Sequence, residues 1–111
     1  MINLIKTYNK LVRDKIPEII KNNNGIPKTK ILNDIEYKKE LEIKLTEEIN
    51  EVLNSADGEK RLEELADVLE VVKSLAELEK NTLDDIIDLA NKKREKRGGF
   101  ELKIYLEEVD E

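Results

Sequence analysis

Two acidic pairs, Glu48 with Glu51 and Glu64 with Asp67, lie three residues apart on either side of a short turn-forming stretch, Ser55-Ala56-Asp57-Gly58. Carboxylate oxygens are hard ligands. The chain contains neither His nor Cys, so a metal held here would meet oxygen donors alone, which favours Mg²⁺ or Mn²⁺ first and Ca²⁺ second. The same absence excludes a thiol nucleophile, a disulfide framework, a Cys/His zinc site and a histidine triad. Catalysis would have to use carboxylates, lysines, hydroxyls or a bound metal.

In a chain with 41% charged residues, most acidic pairs at this spacing are solvated helix faces. Angular position separates the ordinary from the unusual. At about 100° per residue, Tyr37, Leu41, Leu45, Ile49 and Val52 define an apolar stripe that contains Glu48. Glu51 lies about 60° away on its margin, and Glu47 points outward. In the next helix Leu62, Leu65, Ala66, Val68, Leu69, Val71, Val72, Leu75 and Ala76 cover a broad arc. Glu63, Glu70, Lys73 and Glu77 fall on its wet side, whereas Glu64 sits within it and Asp67 at its edge. Two inward pairs on adjacent helices would converge, and unpaired buried carboxylates cost several kcal/mol each. A divalent cation is the simplest compensation. The width of the arc implies a bundle interior or a dimer contact.

A third helix supplies the opposite charge. Ile86, Leu89 and Ala90 mark its apolar face, and Lys93 and Arg97 continue that line, with Asn91 to one side. Taken alone, these cations read as side chains snorkelling at a helix end, where they suit the macrodipole. Opposite a metal cluster they form a phosphate clamp.

The elements needed to position these residues are legible in the chain. Asp14 is expected to cap a short helix with Pro17 in its first turn, running through Ile19 and Ile20 to the Asn22-Asn23-Asn24-Gly25 stop. Pro27 and β-branched residues make 26–32 an extended crossing segment. Asn33 with Glu36 resembles a capping box opening a helix to about residue 54, and a second helix from 59 to about 79 packs antiparallel to it. Thr82 with Asp85 opens the third, which Gly98-Gly99 ends. The segment 100–109 reads as extended or loosely helical. The expected fold is all-α: one domain over 1–111, an antiparallel bundle of three main helices plus a short N-terminal helix, completed by oligomerisation. Area scaling for 12.9 kDa gives a folded surface of about 6,300 Å² against roughly 18,700 Å² extended, so about two-thirds is available for burial.

The net charge of −6 argues against a nucleic acid, whose phosphates need a basic face. Apolar runs are too short to span a bilayer. Residues 1–6 lack the apolar core of a secretory signal, so no membrane partner and a cytoplasmic location are expected.

Glu47-Glu48-Ile49-Asn50-Glu51 followed by Glu64-Leu65-Ala66-Asp67 resembles the EExxE…ExxD pattern of the MazG-like all-α nucleoside triphosphate pyrophosphohydrolases. Asn91, Lys93 and Arg97 resemble that family's NxKxxxR element. The opening Tyr8-Asn9-Lys10-Leu11-Val12-Arg13-Asp14-Lys15-Ile16-Pro17 and the closing Arg97-Gly98-Gly99-Phe100 are similar to its short house-cleaning subgroup. The resemblance spans nearly the whole chain, with its motifs in order.

It implies a helical homodimer or higher homo-oligomer that cleaves nucleoside triphosphates, including non-standard ones, between the α- and β-phosphates in the presence of Mg²⁺, with Mn²⁺ as a substitute. Carried over by position, Glu48, Glu51, Glu64 and Asp67 are the implied metal ligands, and Glu47 matches the first acidic position. The metal would neutralise triphosphate oxygens and activate water, with Glu47 or a ligand carboxylate taking the proton. Asn91, Lys93 and Arg97 would hold phosphate and stabilise the departing pyrophosphate. Arg13 and Lys15 are further candidates for phosphate or base contact, against an equal reading as surface or interface charges. A phosphoribosyl-ATP pyrophosphohydrolase uses the same chemistry, and a non-catalytic metal-binding interaction module is the alternative from a different class.

Overall fold

A computed structural model describes residues 4–111; of residues 1–6, expected to lack a secretory signal, the first three lie outside the described residues. Four helices follow in order, α1 (Ile16–Asn22), α2 (Asp34–Asn54), α3 (Glu59–Leu78) and α4 (Leu83–Arg97), with no strand among the described residues. The chain is all-α, as the periodicity requires.

Local chemistry sets the helix ends. Asn33 Oδ1 accepts from the Glu36 amide at 2.9 Å, and Glu36 Oε1 accepts from the Asn33 amide at 3.3 Å. Thr82 and Asp85 make the same reciprocal pair at 3.1 and 2.8 Å. Both capping boxes relieve first-turn amides that the helix itself leaves unpaired. At Gly58 (φ 100°), preceding α3, and Gly98 (φ 80°), closing α4, the backbone takes left-handed values that glycine tolerates best.

Asp14 does not cap α1. Lys15 occupies the N-cap position and no side chain caps it. An Asp14 cap would need the amides of residues 16 and 17, but Ile16 already donates to Arg13 O at 3.0 Å and Pro17 has no N–H. The segment 26–32 has no regular secondary structure and is mostly exposed, with Ile26 and Ile31 in solvent, and beyond a turn near Phe100 the tail is irregular and exposed.

α2 and α3, joined by four residues, form an antiparallel hairpin, and α4 packs on α3. α4 does not reach α2, and α1 packs on no other helix. Leu41 of α2 and Val71 and Ala76 of α3 are the buried apolar residues, flanked by half-buried Tyr37, Leu45, Val52, Val68, Val72 and Leu75. No helix among the described residues is long and apolar enough to cross a membrane.

One chain falls short of the expected burial. Its surface is 10756 Å², far above the roughly 6,300 Å² of a compact chain this size. Its radius of gyration is 19.0 Å, with extents of 69 × 34 × 26 Å, where compact packing gives about 13 Å. Much of the excess lies in the irregular segments, where Ile26, Ile31 and Leu102 are exposed, and part lies on the broad α3 arc: α2 covers the side carrying Glu64, Val68, Val71 and Leu75, while Leu62, Leu65 and Leu69 on the adjoining side remain exposed. Ile87 and Leu89 of α4 and Phe100, Ile104 and Tyr105 beyond it are exposed as well.

Candidate metal centre

The hairpin brings one oxygen each from Glu48, Glu64 and Asp67 within 4.8 Å of one another. Glu64 is buried, at 6% exposure, and Glu48 and Asp67 are half-buried. The cause is angular. Glu48 shares the α2 stripe with Leu41 and Leu45, while Glu64 and Val71 are two turns apart on the α3 face that meets it. Glu51 is exposed and is not one of the three. Its 60° offset on α2 turns it away from the other oxygens, and its charge is felt by Lys60. Of the four ligands implied by the resemblance, three come together.

The buried carboxylates are not left uncompensated. Lys44 Nζ lies 3.4 Å from Glu48, Lys60 Nζ 2.8 Å from Glu64, and Arg13 Nη2 2.7 Å from Asp67. The Lys60 ammonium, held by its hydrogen bond to Glu64 and by the charges of Glu64, Glu63 and Glu51, titrates above the usual lysine range. No buried side-chain nitrogen or oxygen among the described residues lacks a partner. The compensation that buried carboxylates require is thus supplied by cations of the chain itself. Two of them, Lys44 and Lys60, stand four residues before their partners, a spacing readable on any helix.

Glu47 is not on an open face. Lys10 donates to its Oε1 at 3.1 Å and Lys44 approaches the same oxygen at 3.5 Å. Partial burial raises its pKa, but the Lys10 hydrogen bond and the charges of Lys44 and Lys10 outweigh that and bring it below the ordinary carboxylate value. The N-terminal segment that carries Lys10 crosses over this edge of the hairpin, which the helical wheel could not reveal.

The candidate phosphate contacts are divided. Arg13 reaches the cluster, whereas Lys15 is exposed at the start of α1. Asn91, Lys93 and Arg97 are exposed and line a shallow groove with Ala90, Gly98 and Phe100 at the end of α4. Neither Lys93 nor Arg97 pairs with an acidic residue among the described ones, because α4 packs on α3 and not on α2. The clamp is not closed over the carboxylates within this chain. Arg94, one position beyond Lys93, is instead paired with Glu101, whose carboxyl it lowers.

The donor set nevertheless fits a hard divalent cation. Oxygens opposed across an ion bound at about 2.1 Å are about 4.2 Å apart, so a spread within 4.8 Å needs only a small inward movement. All donors are carboxylates and one is buried, which excludes soft ions. Comparison with family models, with curated proteins and with solved structures finds no match for this chain.

Proposed function

We propose that the chain is a metal-dependent nucleoside triphosphate pyrophosphohydrolase of the MazG-like kind. The observation that carries this reading is the convergence of Glu48, Glu64 and Asp67 from two helices onto one small volume. The exposed, unpaired Lys93 and Arg97 elsewhere in the same chain support it, since a triphosphate needs both kinds of contact. Glu48, Glu64 and Asp67 would hold Mg²⁺ or Mn²⁺. When bound, that ion supplies charge neutralisation of triphosphate oxygens and a water of lowered pKa.

The remaining work falls to the chain's own groups. Glu47, held ionised by Lys10 and Lys44, is a weak base and orients the attacking water by accepting its hydrogen bond, and a carboxylate oxygen of the triad takes the proton. Lys93 and Arg97, which do not close over the carboxylates within one chain, would reach the β- and γ-phosphates in the assembled oligomer and offset the charge that gathers on departing pyrophosphate. Asn91 steadies the same groups by hydrogen bonds.

The assembly is a homodimer or larger homo-oligomer. Leu62, Leu65 and Leu69 are about half to two-thirds exposed on α3, and completing their burial contributes about 1–2 kcal/mol each. A second copy laid on this face would finish the core that one chain leaves open.

The second reading is a non-catalytic helical module, favoured by the fact that each cluster carboxylate already has a cationic partner. A pyrophosphate-release screen over ordinary and modified nucleoside triphosphates with Mg²⁺ and Mn²⁺ separates the two. Release from at least one of them, abolished by chelator, is the expected result; silence across the panel leaves the module. A phosphoribosyl-ATP arm separates the related enzyme.

A further inference from the structure

Of the three cations that neutralise the cluster, Lys44 and Lys60 belong to the same helices as their partners, whereas Arg13 comes from a segment 54 residues away in sequence. That segment has no regular secondary structure between Lys10 and Arg13. It touches both helices of the hairpin: Lys10 pairs with Glu47 of α2 at 3.1 Å and Arg13 with Asp67 of α3 at 2.7 Å, with Leu11 half-buried between them. No helix packing reinforces the seat, because α1 contacts no other helix. The segment is therefore a strap held by two ion pairs of the solvent-accessible kind, which are individually weak.

We propose that Arg13 is the protein's own competitor for the carboxylate cluster: it neutralises Asp67 when no divalent cation is held there and is displaced when one binds, which unseats the strap of residues 10–13. This rests on the metal reading above. A doubly charged ion on the Asp67 carboxylate would stand within a few ångströms of the guanidinium, and like charges at that range repel. Lys60 and Lys44 swing aside on flexible stems without disturbing the backbone. Release of Arg13 instead removes one of the two ion pairs that seat its segment, leaving only Lys10–Glu47 and the half-buried Leu11 to hold it. Arg13 accordingly sets metal affinity, and metal occupancy sets the position of the strap.

The absence of native cysteine allows a clean pair of nitroxide labels at Asp14→Cys and Glu63→Cys, both exposed positions, diluted with unlabelled protein so that distances within one chain dominate. Mg²⁺ is expected to lengthen and broaden the distance distribution. Asp67→Asn in the same background should give the broad distribution without metal and no response to it. Calorimetric titration of unlabelled protein should show Arg13→Gln binding Mg²⁺ about two- to fivefold more tightly than wild type, the equivalent of a lost exposed ion pair. Lys21→Gln, which removes an equal charge from α1 at a side chain with no ion pair among the described residues, should match wild type. Mg²⁺ that binds while the distance stays fixed, or Arg13→Gln indistinguishable from Lys21→Gln, overturns the competition and leaves the metal reading standing. No Mg²⁺ binding in either wild type or Arg13→Gln overturns both.

Discussion

In the α2–α3 hairpin Glu48, Glu64 and Asp67 have cations at 3.4, 2.8 and 2.7 Å, whereas in α4 Lys93 and Arg97 stand exposed with no acidic partner among the described residues. Apolar burial divides less cleanly, because Leu62, Leu65 and Leu69 of α3 are exposed as well. Leu41, Val71 and Ala76 are covered within the three-helix contact, while Ile87, Leu89, Phe100 and Tyr105 face solvent. The cluster charges of the first region are paired within one chain; the second carries charge and apolar surface that one chain does not use. Unpaired basic residues beside an uncovered apolar face suit contacts that come from outside, an anion for the charges and a second protein surface for the side chains.

The largest effect that would sharpen this contrast lies in the hairpin. Glu64→Gln keeps the shape and removes an anionic ligand, so pyrophosphate release should fall at least about 100-fold while the variant remains folded. Because Lys60 is solvated and its pair with Glu64 is worth little, the metal-free melting temperature should stay near that of wild type. In wild type, Mg²⁺ at about one hundred times its dissociation constant should add roughly 2.7 kcal/mol and raise the melting temperature on the order of 10 °C, a shift that Glu64→Gln should mostly lose. A variant that keeps both its turnover and its metal-induced shift would make Glu64 an ordinary helix residue.

Next come the free cations of α4. Lys93→Ala or Arg97→Ala should lower kcat by about ten- to a hundredfold, in line with the loss of a charged contact to departing phosphate, and leave the metal-induced melting shift in place. Glu63→Ala on the wet face of α3 should leave both unchanged. Equal losses at all three positions would erase the distinction between the two regions.

The uncovered face gives the third test. Leu65→Asp or Leu69→Asp places a charge at the centre of the exposed α3 strip and should shift sedimentation from an oligomer to a monomer at micromolar concentration. A wild-type chain that sediments as a folded, active monomer would mean that the face needs no second copy.

Smallest are the pH effects, which separate pairs inside the hairpin. The Glu47 carboxyl is held below its ordinary 4.5, so its ion pairs with Lys10 and Lys44 stabilise the fold above that pH and are lost as the pH falls through the lowered folded-state value. Lys60 is raised above 10.5, and its contribution is present below that pH and lost as the pH rises through the raised value. Lys10→Gln should weaken the acid-side loss in thermal melts, and Lys60→Gln the alkaline-side loss. An unchanged acid limb in Lys10→Gln would detach the strap from Glu47.

What the chain reveals in advance divides along sequence distance. The capping boxes at Asn33–Glu36 and Thr82–Asp85 are readable because donor and acceptor lie three residues apart, and the inward angles of Glu48 and Glu64 follow from periodicity alone. The Lys44–Glu48 and Lys60–Glu64 pairs are equally legible at i, i+4. Arg13–Asp67 and Lys10–Glu47 carry no local signal, because an irregular segment must first cross the hairpin to make them. Asp14 failed as a cap for a reason that was present in the sequence: Pro17 removes one of the amides a cap would bind. The extent of the uncovered α3 face depends on which helices meet, which no single helix wheel contains.

The most direct test of the central claim is the fate of a nucleoside triphosphate followed by phosphorus NMR with wild-type protein, in Mg²⁺ and again in excess EDTA. A carboxylate-held cation acting between the α- and β-phosphates predicts monophosphate and pyrophosphate in Mg²⁺ and no reaction in EDTA. Diphosphate with orthophosphate as products, or full turnover in the chelator, would contradict it.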